Sequence, residues 1–180
     1  TKRAKDENVG KKLVERIRWW ENYARIHNAE INNNPTPGNR AGGLTTIYEK
    51  SLGAIAKGGT TTINEVYLYS ERVTQKGLVF MDTPGNDPAS VTGMVAGGAN
   101  IVVFTTGRGS VFGFKPAPSI KVATNSELYH RMIDDMDINA GIALDGVSIK
   151  EVGKLIYTSF SVMFASLSSL RSKLRRNQAK

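Results

Sequence analysis

Apolar residues recur at three- and four-residue steps through residues 8–28. There Val9, Leu13, Ile17, Trp20 and Ala24 share one face, and Lys and Glu fill the other. That spacing predicts an amphipathic helix with one side turned to a core. The next stretch, INNNPTPGNRAGG (31–43), is dense in Asn, Pro and Gly and reads as a loop. Helical spacing returns over residues 44–56 and stops at Lys57-Gly58-Gly59, the kind of glycine end a helix favours.

The middle of the chain changes period. Leu78-Val79-Phe80-Met81 is a short apolar run that predicts a strand, and DTPGNDP (82–88) a turn. Residues 89–96 suit a helix closed by Gly97-Gly98, and residues 101–104 form a second apolar strand. Strand, helix and strand with short connections predict a βαβ unit. The fold class expected is therefore α/β: a mostly parallel sheet with flanking helices in a Rossmann-like three-layer arrangement. A further strand is predicted over 119–123, and a helix capped within Thr124-Asn125-Ser126 and running to Met132. A last helix starts near Ser148, where Ser148 and Glu151 have capping-box spacing, and passes Phe164 into a serine-rich basic tail.

Composition narrows the class. A chain of 180 residues is sized for a single α/β domain spanning 1–180. With no cysteine, disulfide scaffolds and thiolate metal sites are excluded, and a cytoplasmic setting is expected. Two histidines, His27 and His130, argue against a metal held mainly by imidazoles. No run of about eighteen apolar residues exists to cross a membrane. The opening Thr1-Lys2-Arg3 lacks methionine, so a fragment or a processed product is expected. The net charge of +8 suggests nucleic acid until it is mapped. Residues 1–25 hold eight basic and four acidic residues, and 171–180 five basic and none acidic. Residues 26–170 carry eleven basic and twelve acidic. The basicity sits at the two ends, which fits solvated helix ends better than a nucleic-acid surface.

Ligands of parallel sheets bind beyond the carboxyl ends of the strands. Here those ends are DTPG (82–85) and TTGRGS (105–110). In the second, Thr105, Thr106 and Ser110 offer hydroxyls, and Gly107 and Gly109 allow close backbone approach. Arg108 offers a fork suited to carboxylate or phosphate. The alternative is a tight turn with a surface arginine. The spacing is neither a Walker A loop nor a dinucleotide fingerprint. Asp82, at the end of a strand, suits acid–base or metal work, or simply caps the next helix. NNNPTPGN (32–39) offers Asn33, Asn34 and Asn39 to hydroxylated ligands, or only turns. DDMD (134–137) suits a hard divalent cation or a solvated acidic face. Lys57, Lys115 and Lys121 are candidate bases or carboxylate partners.

Three segments together resemble one family. They are residues 32–61, residues 77–125 (GLVFMDTPGNDPASVTGMVAGGANIVVFTTGRGSVFGFKPAPSIKVATN) and DDMDINAG (134–141). With KLVERIRWWENY (12–23), they resemble the carboxyl-terminal portion of the altronate dehydratase/galactarate dehydratase family. The resemblance implies a hydro-lyase that removes water from a sugar acid to give a 2-keto-3-deoxy acid with a divalent metal, iron(II) or manganese(II). It implies a small-molecule sugar-acid substrate and further upstream domains and leaves a homo-oligomer open, while the apolar pattern speaks against a membrane and the mapped charge disfavours nucleic acid. Removing a proton next to a carboxylate builds charge that a metal, Arg or Lys must meet. On this basis Arg108, with Thr105, Thr106, Gly107, Gly109 and Ser110, would grip the substrate carboxylate, with Lys115 as a second contact. Asn33, Asn34, Asn39 and Thr83 would read hydroxyls, and Asp82 would serve as acid–base group or metal ligand. Where the family commonly carries cysteine this chain has Phe114 and Ala140. The alternatives are a carbon–sulfur lyase acting on sulfolactate and a non-enzymatic, basic nucleic-acid-binding module.

Overall fold

A computed structural model describes residues 1–31, 35–41 and 44–178 of the chain. Its elements run α1 (Glu7–Ile26), α2 (Pro37–Ala41), α3 (Ile47–Lys57), β1 (Ile63–Tyr67), β2 (Leu78–Met81), α4 (Asp87–Ala96), β3 (Val102–Thr106), β4 (Ser119–Ala123), α5 (Ser126–Arg131), β5 (Ile138–Asn139) and α6 (Ile149–Gln178). The fold is α/β, with every strand pair parallel and helices alongside. Contacts divide the chain into two compact units, Thr1–Ala99 and Asn100–Lys180.

In the amino-terminal unit, α1 is capped by the Asp6 carboxylate, which accepts the Val9 N–H at 2.9 Å, and it packs on β1. Thr46 caps α3 in the same way. The Glu49 carboxylate reaches back to the Thr45 hydroxyl at 2.6 Å and its N–H at 2.8 Å, and these bonds, the hydroxyl first, hold the Glu49 carboxyl below its ordinary range. At the other end of α3 the Arg3 guanidinium donates to the carbonyls of Gly58 (2.6 Å) and Thr61 (2.9 Å). A cation there satisfies carbonyls near the helix end.

β1 and β2 pair in parallel from Ile63↔Leu78 to Tyr67↔Met81, with a shift of register between Ile63 and Glu65. Residues 68–77 join them without a helix. The Tyr67 hydroxyl ties that connection down, accepting the N–H groups of Thr74 and Gln75 at 3.0 and 2.9 Å. These bonds, together with that to the Thr74 hydroxyl, which is the largest cause, hold the phenol below its ordinary value. Gly93 of α4 lies where any side chain would overlap the Tyr69 ring, and the Tyr69 hydroxyl donates to the Ala89 carbonyl at 2.7 Å.

In the carboxyl-terminal unit β4 is central, between β3 and β5. Ile120, Val122 and Ile138 form one buried cluster, against which Ile156 and Met163 of α6 pack. Ala123, Leu128 and Met136 form a second. The start of α6 carries the expected capping box: the Glu151 carboxylate accepts from the Ser148 N–H and hydroxyl, and the Ser148 hydroxyl accepts from the Glu151 N–H. This bonding lowers the Glu151 carboxyl from its ordinary range, the Ser148 hydroxyl contributing most.

One expectation needs correction. The strands either side of α4 do not close a βαβ unit within one sheet, because β2 pairs with β1 and β3 with β4. The closed βαβ unit is β4–α5–β5, whose strands are direct parallel neighbours. An apolar strand–helix–strand pattern fixes elements but not partners. β1, whose sequence INEVY places Asn and Glu inside the strand, gives no apolar run to signal a competing partner. The loop expected at 31–43 also contains one helical turn, α2, begun by Pro37 with its preset φ.

Candidate functional site

The carboxyl ends of β3, β4 and β5 lie side by side, since Thr106 pairs with Ala123 and Ala123 with Asn139. Three loops therefore leave the sheet at one edge: TTGRGS, TNS and NAG. They are bonded to one another. Asn125 caps α5 with its Oδ1, accepting the Leu128 N–H at 2.8 Å, and its Nδ2 donates to the Gly107 carbonyl at 3.0 Å. Thr124 donates its N–H to the Thr106 carbonyl at 3.0 Å. The Ser126 hydroxyl donates to Asp145 at 3.1 Å and accepts from the Asn139 amide at 3.1 Å. Gly141 sits against the backbone of Asn125 and Ser126 so closely that a Cβ would overlap it.

Within the glycine–arginine loop the Thr106 hydroxyl accepts the Gly109 N–H at 3.0 Å, and the Ser110 hydroxyl accepts the Phe112 N–H at 3.2 Å. Both oxygens thus shape the loop, and each hydroxyl keeps its proton to donate. Gly109 has φ +103°, and a side chain there would run into Met132. The carbonyls of Arg108 and Ser110 accept from Arg131 (3.1 Å) and Lys121 (3.3 Å). The Arg108 side chain is exposed, and among the described residues no partner holds its guanidinium. The result is a fixed backbone presenting a free fork beyond a parallel sheet. Thr105 pairs with Val122 in the ladder, and Lys115 is exposed in the turn before β4.

In the amino-terminal unit, Asp82 is nearly buried, at 8% exposure. Its Oδ2 accepts from Arg16 Nε at 2.8 Å, and Trp20 Nε1 donates to Oδ1 at 2.9 Å and Oδ2 at 3.1 Å. The Arg16 guanidinium carbon also stands 4.6 Å from the centre of the Trp19 ring, a cation–π distance. The next residue, Thr83, shares a 2.7 Å hydrogen bond with the Ser90 hydroxyl of α4. Arg16, Trp19, Trp20, Leu68, Tyr69, Asp82, Thr83 and Pro84 line a cleft of about 380 Å³.

Of the residues expected from sequence, the structure gathers Thr106, Gly107, Arg108, Gly109 and Ser110 into one loop and places Asp82 and Thr83 together at the end of β2. Asn39 lies in α2, half-buried. Asn33 and Asn34 lie outside the described residues. DDMD is drawn onto β4: Asp135 pairs with Lys121 Nζ at 3.4 Å, and Asp137 accepts the Lys121 N–H at 2.7 Å. Lys121 is thereby committed to the fold. Sequence reading missed Arg16, Trp20 and Asn125 as holders of these loops. Arg16 and Trp20 stand one turn apart on α1, a spacing that pointed to a shared face but not to its target.

A divalent metal, as the resemblance implies, needs several oxygen or nitrogen donors converging on one point. Among the described residues no three His, Asp or Glu side chains gather to hold one. Asp82 presents its oxygens to N–H donors, one of them cationic, and as arranged does not fit a metal ion.

Parallel strands with helices alongside, and an exposed arginine on a loop at their carboxyl ends, define an α/β protein. Comparison with known proteins gives the family. Residues 1–177 match the model of the family described as D-galactarate/altronate dehydratase, C-terminal, and the chain belongs to it. It is 46% identical over 154 residues to galactarate dehydratase (L-threo-forming) of Escherichia coli (strain K12), covering 85% of this chain and 29% of that protein. It is 42% identical over 140 residues to altronate dehydratase of Bacillus subtilis (strain 168), covering 78% and 28%. It is 36% identical over 121 residues to (2R)-sulfolactate sulfo-lyase subunit beta of Chromohalobacter salexigens, covering 66% and 31%. The chain thus spans about three tenths of the length of these curated relatives. No helix among the described residues is long and apolar enough to cross a membrane.

Proposed function

We propose that the chain is the carboxyl-terminal part of a cytoplasmic sugar-acid dehydratase, acting on a hexonate or hexarate such as altronate or galactarate. The observation that carries this reading is the glycine–arginine loop, held rigid by Asn125 and Arg131 while the Arg108 fork stays free. The names of the relatives supply the substrate class. In the proposed reaction a base removes the proton on the carbon next to the carboxylate. The carbon–oxygen bond at the neighbouring carbon then breaks, and hydroxide leaves with a proton as water. The resulting enol becomes the 2-keto-3-deoxy acid.

Arg108 meets the charge that builds on the carboxylate, Lys115 adds a second cation, and the hydroxyls of Thr106 and Ser110 donate to its oxygens. The divalent metal implied by the resemblance enters no step, because the described residues do not fit it.

The test is formation of 2-keto-3-deoxy acid by the complete polypeptide carrying this segment, over a panel of sugar acids. Arg108→Ala is expected to lower kcat/KM by about a hundredfold or more, the loss of a charge-stabilising donor. Kinetics near those of the parent would remove Arg108 from the site. The sulfolactate relative supports a second reading, elimination of a sulfur leaving group by the same proton abstraction. Sulfite release from sulfolactate, with no turnover of sugar acids, would favour it.

A further inference from the structure

The amino-terminal unit has an open cleft beside Asp82. At about 380 Å³, it falls in the range of small-molecule sites, which are mostly apolar with a few aimed polar groups. Its walls fit that description: Trp19, Leu68 and Pro84 supply apolar surface, and Arg16, Asp82 and Thr83 the polar groups. The guanidinium of Arg16 is fixed twice, by the Nε bond to Asp82 at 2.8 Å and by the Trp19 ring at 4.6 Å. Only Nε is used. Among the described residues the two Nη groups make no hydrogen bond, and the side chain keeps 21% of its surface open.

A planar fork with two free nitrogens matches a planar anion with two oxygens. The charge of Asp82 does not spoil this, because Trp20 Nε1 donates to both its oxygens and Arg16 Nε to one. Tyr69 is held out of competition by its bond to the Ala89 carbonyl.

We propose that this cleft binds a carboxylate of a polyhydroxylated acid, with the Arg16 Nη pair on the carboxylate and Thr83 on an adjacent hydroxyl. The proposal rests on the sugar-acid reading for its ligand class and assigns Arg16 a binding role that the relatives' names do not give.

The chain has two tryptophans, Trp19 and Trp20, and both line the cleft. Their indole N–H resonances therefore report on this site. Titration of the 180-residue chain with galactarate is expected to shift them saturably, and galactitol, which lacks carboxylates, to leave them in place. Arg16→Lys keeps a cation for Asp82 but loses the fork. It is expected to weaken binding about tenfold or more, the loss of one charge-assisted hydrogen bond, with Tm close to the parent. If that variant does not fold, galactarate protection of Arg16 from phenylglyoxal in the unmutated chain, read by mass spectrometry, takes its place.

No indole shift with galactarate, or equal shifts with acetate or inorganic phosphate, overturns the proposal. So does unchanged affinity in a folded Arg16→Lys chain, or the absence of protection. Turnover of sugar acids without indole shifts would remove the cleft alone. Indole shifts without turnover would remove the reaction and leave the cleft.

Discussion

Asp82 ends β2 with its carboxylate turned toward α1, where Arg16 and Trp20 meet it. The side chains of the ion pair retain 21% and 12% of their exposure. Removing one partner of a pair this far from water leaves the other charge poorly solvated. Arg16→Met is therefore expected to cost about 3 kcal/mol, measured by urea denaturation. Arg16→Met combined with Asp82→Leu should recover most of that loss, because an apolar pair needs no counter-charge. Lys12 and Glu65, 2.8 Å apart, behave differently because they are more exposed. Their hydrogen bond lowers the Glu65 carboxyl and raises the Lys12 ammonium. A lowered carboxyl contributes stability above its unfolded value and loses it as pH falls through the folded one. A raised ammonium contributes below its unfolded value and loses that as pH rises through the folded one. Stability from this pair should thus hold near neutrality, declining below the ordinary Glu range and above the ordinary Lys value. Glu65→Gln is expected to flatten both limbs in a series of urea midpoints against pH, and an unchanged profile would show the pair to be idle.

Lys12, Arg16 and Trp20 are spaced by one turn on α1, and all three bond to the sheet side, at Glu65 and Asp82. The helix itself was legible from apolar spacing: α1, α3, β2, β4 and the capped start of α6 lie close to their expected positions. What could not be read was that two cations share the face turned inward, and that Ile17, on the expected apolar stripe, stays 52% exposed. Periodicity records hydrophobicity, and a charged residue facing a strand end is invisible to it until the strand's carboxylate is placed. β5 was hidden for a related reason, being two residues long and following an acidic run. The glycine–arginine loop was legible as a candidate site, but its supports, Asn125 and Arg131, come from the next crossover and carry no local signature. Capping signals travel best because they are local. Ser148→Ala removes the hydroxyl that both donates to and accepts from Glu151. Loss of a cap costs about 1 kcal/mol, so the chain should unfold earlier in urea by that amount, with helix signal lost first from α6. A midpoint equal to the parent's would mean that the box contributes nothing.

Burial is uneven along the molecule, and that unevenness bears on where a site can be held rigid. In the carboxyl-terminal unit β4 carries Ile120 at 2%, Val122 at 1% and Ala123 at 0% exposure, with Leu128 of α5 at 1%. The TNS loop, whose Asn125 holds the Gly107 carbonyl beside Arg108, springs from these elements. In the amino-terminal unit α3 buries no residue, and Tyr48, Leu52 and Ile55 are 78%, 68% and 63% exposed. A packed strand feels the loss of a few carbons through both the transfer term and the cavity left behind, whereas an exposed position feels neither. Ile120→Ala is accordingly expected to cost about 3 kcal/mol, and Leu52→Ala no more than about 0.5 kcal/mol. Amide exchange should follow the same division, slowest at β4 and α5 and fastest along α3, since local opening tracks the apolar contacts that must be broken. Because Asn125 and Ser126 stand at the junction of β4 and α5, Ile120→Ala should also loosen their bonds to Gly107 and Asn139. Faster exchange at the Thr124 and Gly109 amides in that variant, but not in Leu52→Ala, would tie the rigidity of the arginine loop to the β4 core. Equal exchange in the two variants would show that the loop is held by its own hydrogen bonds alone.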